Sequence, residues 1–132
     1  MSYHHRLIGK AIDLASTSEY RFKHGAILAR GSKILASATN KLRNDPLIAP
    51  TDVTFHAEDK AIREYCRILG VSYLAPMDLA DMTMYIARVD SVGSQKLSRP
   101  CGRCLYNLEY FGIRDFVYTN ELDGFSIERL DW

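Results

Sequence analysis

No apolar run in this sequence approaches the roughly 20 residues that a membrane-spanning helix needs. The amino terminus, MSYHHRLIGKAIDLAS, also lacks the long apolar core of a secretory signal. A cytoplasmic protein with no membrane partner is therefore expected. Neither sign of charge dominates: 17 Lys and Arg stand against 16 Asp and Glu, for a formal net charge of +1. That balance gives no support for tight duplex binding, which draws on a basic excess or a basic face. Cysteine is scarce, and three residues are too few for a disulfide framework. Repeats, low-complexity tracts and an interdomain linker are missing too. One domain, residues 1–132, with one core is the expectation.

What is present is an alternation of helical and strand patterns in a chain that is 47% apolar and 25% charged, the balance of a folded globular protein. Leu7, Ile8, Ala11, Ile12, Leu14 and Ala15 recur at helical spacing, and the pattern fades through Ser16, Thr17 and Ser18. GAILARGSKILASATN reads as a β-hairpin turning at Arg30 to Lys33. A polar, Pro-containing loop from Lys41 to about Phe55 then leads to a helix from Ala57 to about Leu69, on which Cys66 falls among apolar residues and reads as core. Thr83 to Val89 is a strand, followed by a long loop to Pro100. A third helix from Gly102 to about Phe111 ends at Gly112, and Asp115 to Tyr118 is a fourth strand. The order is α-β-β-α-β-α-β, an α/β layered domain.

Two short stretches, HAEDKAI at His56 to Ile62 and RPCGRC at Arg99 to Cys104, fall where helices begin. Backbone N–H groups at a helix start favour thiolate over thiol and can hold an anion or a polarised carbonyl. If the two starts face each other, His56, Cys101 and Cys104 supply three ligands to one zinc ion. A structural zinc site closes with four ligands, whereas three leave a position for water, whose pKa zinc lowers to about 7. Glu58 is then placed to carry protons from that water. Each piece alone has a plainer reading. The Cys101–Cys104 pair also suits a redox couple or half of a structural site, His56 a packed histidine, and Glu58 a helix-start carboxylate. His4 and His5 read as solvated, and neither they nor His24 are assigned to zinc.

H-x-E followed by P-C-x-x-C resembles the signature of the cytidine deaminase-like superfamily, the zinc deaminases of nucleobases. The resemblance extends over most of the chain and implies a three-layer α/β/α fold about a mixed sheet of about five strands. It implies one zinc ion per chain on His56, Cys101 and Cys104, Glu58 as the catalytic proton carrier, and a homo-oligomer. It further implies that Asn40, at the end of the second strand, touches a sugar hydroxyl and that the backbone of Ala57 meets the base carbonyl. Phe55 either faces the base or belongs to the core.

Beyond Tyr118, TNELDGFSIERLDW is too short for a crossover helix and another parallel strand, so a turn at Asn120 to Gly124 and a strand from Phe125 to Leu130 make an antiparallel hairpin. In the superfamily that arrangement resembles the branch acting on free cytidine. PCGRC is likewise similar to the PCG-x-C of cytidine and blasticidin deaminases. The function implied is hydrolytic conversion of cytosine to uracil in a pyrimidine nucleoside or nucleotide, small-molecule partners both. The alternatives are a deaminase acting on cytosine or adenine in single-stranded nucleic acid, and a non-catalytic zinc module, against which the intact Glu58 argues. Lys41, Arg43, Arg88, Lys96, Arg99 and Arg103, in or beside the two long loops, are candidates for holding a phosphate.

Overall fold

The structure, a computed structural model, describes residues 3–18, 23–39, 41–42, 54–55, 57–72, 74–75, 78–90, 92–99, 108–121 and 124–129, with the backbone alone at 41–42, 54–55 and 58–59. Its elements are α1 (Tyr3–Ser16), β1 (Lys23–Arg30), β2 (Lys33–Thr39), β3 (Lys41–Leu42), β4 (Thr54–Phe55), α2 (Ala57–Leu69), β5 (Thr83–Val89), β6 (Gln95–Lys96), β7 (Asp115–Thr119) and β8 (Phe125–Arg129). Residues 108–111 are helical. Among the described residues the main sheet runs β2-β1-β5-β7-β8, with β6 paired to β5. β5 and β7 are parallel, and the other pairs in this sheet are antiparallel. No helix of the described residues is long and apolar enough to cross a membrane.

Strand alternation divides the core in two, because successive side chains of a strand point to opposite faces. On one face Ile27, Ala29, Tyr85, Ala87, Val89 and Val117 pack with Leu7, Ile8, Ala11 and Ala15 of α1. On the other, Ala26, Leu28, Met84, Ile86, Phe116 and Tyr118 pack with Ala57, Ala61 and Ile62 of α2 and with Leu108 and Ile113. The result is the three-layer α/β/α arrangement, closed by the expected antiparallel hairpin of β7 and β8. Its turn is held by Asn120, whose N–H donates to the Gly124 carbonyl and whose side-chain oxygen accepts the Gly124 N–H.

Local chemistry sets the ends of these elements. Ser16 and Thr17 hydroxyls bond back to the Ile12 and Leu14 carbonyls, which explains why α1 stops in that polar run. α2 ends with Gly70 at positive φ and the bonds Gly70 N–H to Arg67 O and Val71 N–H to Cys66 O. The helical turn at 108–111 ends in the same way at Gly112, through Gly112 N–H to Glu109 O and Ile113 N–H to Leu108 O. Both are Schellman caps, which favour glycine because it enters the left-handed region without a Cβ penalty.

Gly25 is required for a different reason. A Cβ there would lie 2.6 Å from the Ala11 carbonyl oxygen and 2.7 Å from the Ala15 nitrogen, so α1 rests directly on the β1 backbone. These obstacles are backbone atoms and cannot swing aside. Gly25→Ala is therefore expected to destabilise the protein by about 1–3 kcal/mol, the usual cost of overpacking. A denaturant midpoint equal to that of the wild type would show that α1 shifts freely.

Three expectations need correction. The segment from Lys41 to Phe55 is not loop throughout, because its ends pair as Lys41↔Phe55 and Leu42↔Thr54. The stretch after Val89 turns back as β6, pairing Arg88↔Lys96 and Val89↔Gln95. Asp90 makes that turn by accepting the N–H groups of Val92 and Ser94 on its carboxylate, with Gly93 at φ 90°. Cys66 is half-buried, not core, since the buried stripe of α2 is formed by Ala57, Ala61 and Ile62 and fades toward the exposed Leu69.

Candidate active site

The two parallel strands define the end of the sheet at which chemistry is expected, because crevices open beyond the carboxyl ends of strands whose connections diverge. The register carries β2 to the same end: Thr39, its last residue, pairs with Gly25, which pairs in turn with Ala87 near the end of β5. Asn40 is the next residue in the chain. β3 follows at once, β4 pairs with it, and α2 starts two residues after β4. Ala57, the first residue of α2, is fully buried. At the opposite end of the sheet the Leu79 N–H donates to the Phe111 carbonyl, joining the chain that enters β5 to the turn that enters β7. α2 thus presents its start, with its unpaired N–H groups, at the carboxyl ends of β5 and β7.

The described chain ahead of Pro100 and Cys101, residues 95–99, lies toward that same end. After Ile86↔Tyr118 the parallel ladder of β5 and β7 stops, and residues 95–98 run between the diverging strands. Ser98 donates its backbone N–H to the Thr119 carbonyl at 3.0 Å and its hydroxyl to the Ile86 carbonyl at 2.8 Å, and it accepts the Thr119 N–H at 2.9 Å. The Thr119 hydroxyl donates to the Lys96 carbonyl at 2.7 Å and accepts the Arg88 N–H at 3.2 Å. Both side chains are buried, and nothing in the local sequence around either one signals the pairing.

Ala57 is thus the one assigned site residue that is described in full. Phe55 and Glu58 are placed by their backbones, in β4 and as the second residue of α2, and their side chains lie outside the described residues. Asn40, His56, Cys101 and Cys104 lie outside them altogether. Thr39 and Ala57, the described neighbours of Asn40 and His56, and Arg99, two residues before Cys101, belong to segments at the carboxyl ends of β5 and β7. The donor set of His56, Cys101 and Cys104, one imidazole and two thiolates, suits zinc, a borderline-soft ion that takes nitrogen and sulfur ligands. Among the described residues, which do not include His56, Cys101 or Cys104, no group of three His, Cys, Asp or Glu side chains could hold a metal.

The structure gives partners to four side chains expected to hold phosphate or to be solvated: Arg99, Lys96, His4 and His5. Arg99, a candidate for phosphate, is engaged with Glu128: its Nε and Nη2 donate to the two carboxylate oxygens at 3.0 and 2.7 Å, and the Tyr118 hydroxyl donates to the same carboxylate at 3.0 Å. The hydrogen bond from Arg99, ahead of that from Tyr118, holds the Glu128 carboxyl below its ordinary pKa, against an opposing effect of burial. Lys96 faces Asp90 at 3.9 Å. Like-signed charges in the loop were readable in the sequence, but their partners, on a distant strand or across the hairpin turn, were not. His4 is not simply solvated. Its Nδ1 lies 2.7 Å from the hydroxyl of the buried Tyr85, and the His5 ring meets Phe125 edge-on.

A family model described as the zinc-binding region of cytidine and deoxycytidylate deaminases matches residues 1–120. No curated protein sequence matches the chain. Among solved structures, the fold is similar to a cytidine deaminase from Burkholderia pseudomallei, with TM-score 0.68, 20% identity, and coverage of 98% of this chain and 93% of that one. It is also similar to the dCMP deaminase of cyanophage S-TIM5, with TM-score 0.62, 21% identity, and coverage of 91% and 84%. That phage enzyme is known in complex with dCMP and dUMP. A third similar structure is a transfer-RNA deaminase of the wobble-position A-to-I editing type, with TM-score 0.57, 22% identity, and coverage of 89% and 76%.

Proposed function

This chain belongs to the family of cytidine and deoxycytidylate deaminases with a zinc-binding region, and from that membership we propose that it is a zinc-dependent hydrolytic deaminase converting cytosine to uracil in a free nucleoside or nucleotide. Water is consumed and ammonia released. The observation that supports the proposal is the match of that family to residues 1–120, in a chain whose described segments flanking Asn40 and His56 and preceding Cys101 lie toward the carboxyl ends of β5 and β7. The antiparallel pairing of β7 with β8 favours the branch of free-cytidine and related cytosine deaminases over those of transfer-RNA adenosine deaminases and deoxycytidylate deaminases.

In this reading His56, Cys101 and Cys104 would hold one zinc ion, which when bound would lower the pKa of a water molecule to about 7. Glu58 would move one proton from the water to the ring nitrogen of the base as the water oxygen adds to the carbon bearing the amine, and the second to the amine nitrogen as the C–N bond breaks and ammonia leaves. The first turn of α2 turns the N–H of Ala57 toward the base carbonyl, Asn40 holds the sugar, and Phe55 borders the base. Burial of Ala57 keeps bulk water from that backbone position.

The test is to incubate the zinc-loaded protein with cytidine, deoxycytidine, their monophosphates and single-stranded oligonucleotides, measuring ammonia and base conversion. Turnover of a free nucleoside or monophosphate is the expected outcome. Conversion confined to oligonucleotides would move the assignment to nucleic-acid editing, and no conversion at all by protein with bound zinc would end the deaminase reading.

A further inference from the structure

The segment ahead of Cys101 is tied down at two consecutive residues, Ser98 and Arg99, by contacts made to three strands, β5, β7 and β8. Ser98 is 5% exposed and Thr119 is 0% exposed. Their hydroxyls take over the Ile86 carbonyl and the Arg88 N–H, backbone groups of β5 at the last residue of its ladder with β7 and two residues past it. Arg99, the next residue, reaches in the other direction and grips the carboxylate of Glu128 on β8 with two hydrogen bonds, and Tyr118 supports that carboxylate from β7. An apolar pair would fill the space at Ser98 and Thr119 without fixing direction. Buried hydrogen bonds are directional, and a two-pronged Arg–carboxylate contact fixes orientation as well as distance.

We infer that Ser98, Thr119, Arg99 and Glu128 are positioning residues for the metal site: they set the point and direction from which the chain enters Pro100 and Cys101, before any metal is bound. The inference rests on the reading of Cys101 and Cys104 as ligands. It gives β8 a task in metal binding although no ligand lies on it. A metal that meets ligands already arranged need not organise this segment, so loosening the anchor weakens binding even in a protein that stays folded.

The experiment compares zinc dissociation constants, by competition with a chromophoric chelator, together with melting of the metal-free proteins. Ser98→Ala and Thr119→Val are expected to weaken zinc binding about tenfold or more, within the 10–100-fold range for groups that orient metal ligands. The Arg99–Glu128 pair is 44% and 32% exposed, so its variants should fold even if the buried ones do not. Arg99→Glu should weaken zinc binding, and the reciprocal double change Arg99→Glu with Glu128→Arg should restore it. A purely structural role would lower melting of the metal-free protein and leave zinc affinity within about twofold of wild type, which would overturn the inference while the ligand assignment stood. A wild-type protein that binds no zinc would remove the ligand assignment and the inference together.

Discussion

Glu58→Gln is expected to lower turnover by at least roughly 10²–10⁴-fold, the range that general acid–base catalysis contributes, while zinc stays bound. Gln keeps the shape and hydrogen-bonding reach of Glu but cannot accept a proton from water. The fold should not suffer, because Glu58 is the second residue of α2 and the buried stripe of that helix is made by Ala57, Ala61 and Ile62. Loss of a helix-start carboxylate costs only about 0.3–1 kcal/mol. Affinity for substrate should survive as well, since the metal ligands, Asn40 and the Ala57 backbone are unchanged, and the variant should trap substrate in a crystal. Zinc content, binding by calorimetry and turnover by absorbance would be measured on the same preparation. Near-normal turnover, or a variant that has lost its metal, would mean that Glu58 has another task.

Removing a zinc ligand should have the larger effect on stability. Cys101→Ser and Cys104→Ser are expected to abolish stoichiometric zinc binding, and the wild type is expected to hold about one ion per chain. His56 precedes α2 and the cysteines precede the 108–111 turn, so an ion held by all three, as proposed, would link chain segments whose apolar residues share a core, Ala57 and Ala61 with Leu108. Metal binding is then folding free energy. With zinc at about 1,000 times its dissociation constant the stabilisation is about 4 kcal/mol, or roughly 10–20 °C in Tm for a chain of this length. Exhaustive chelation of the wild type should reproduce the loss. A chelated protein that remained fully active and melted unchanged would refute the zinc site.

How much of this was legible in the sequence depended on the range of the signal. α2 begins at Ala57 and ends at Leu69, and β5 runs from Thr83 to Val89, both as periodicity indicated. Gly112 was readable as a helix stop because the cap it makes is local. β3, β4 and β6 were not readable, since each is a two-residue strand and two residues have no period. The site divided in the same way. The H-x-E and P-C-x-x-C patterns are short and dense in chemistry, so they stand out in the chain. Ser98 with Thr119, and Arg99 with Glu128, are ordinary residues that acquire meaning only when β6, β7 and β8 come together. Their pairing is tertiary information, and an arginine in a polar loop looks the same with or without a distant carboxylate.

The sheet order has a consequence for the path by which the protein assembles. β1 with β2 and β7 with β8 are hairpins between sequence neighbours, the kind of unit that forms in about 1–10 μs. β5, the central strand, joins them through partners far away along the chain on both sides, antiparallel to β1 and parallel to β7. Closing those long loops costs entropy before the pairing returns any energy. The molecule is therefore two quickly formed outer pieces with a slow seam between them. Residues 95–98, which lead toward Cys101, pass through that seam, so the end of the sheet at which the metal site is proposed takes its final shape only after the outer pieces have been joined.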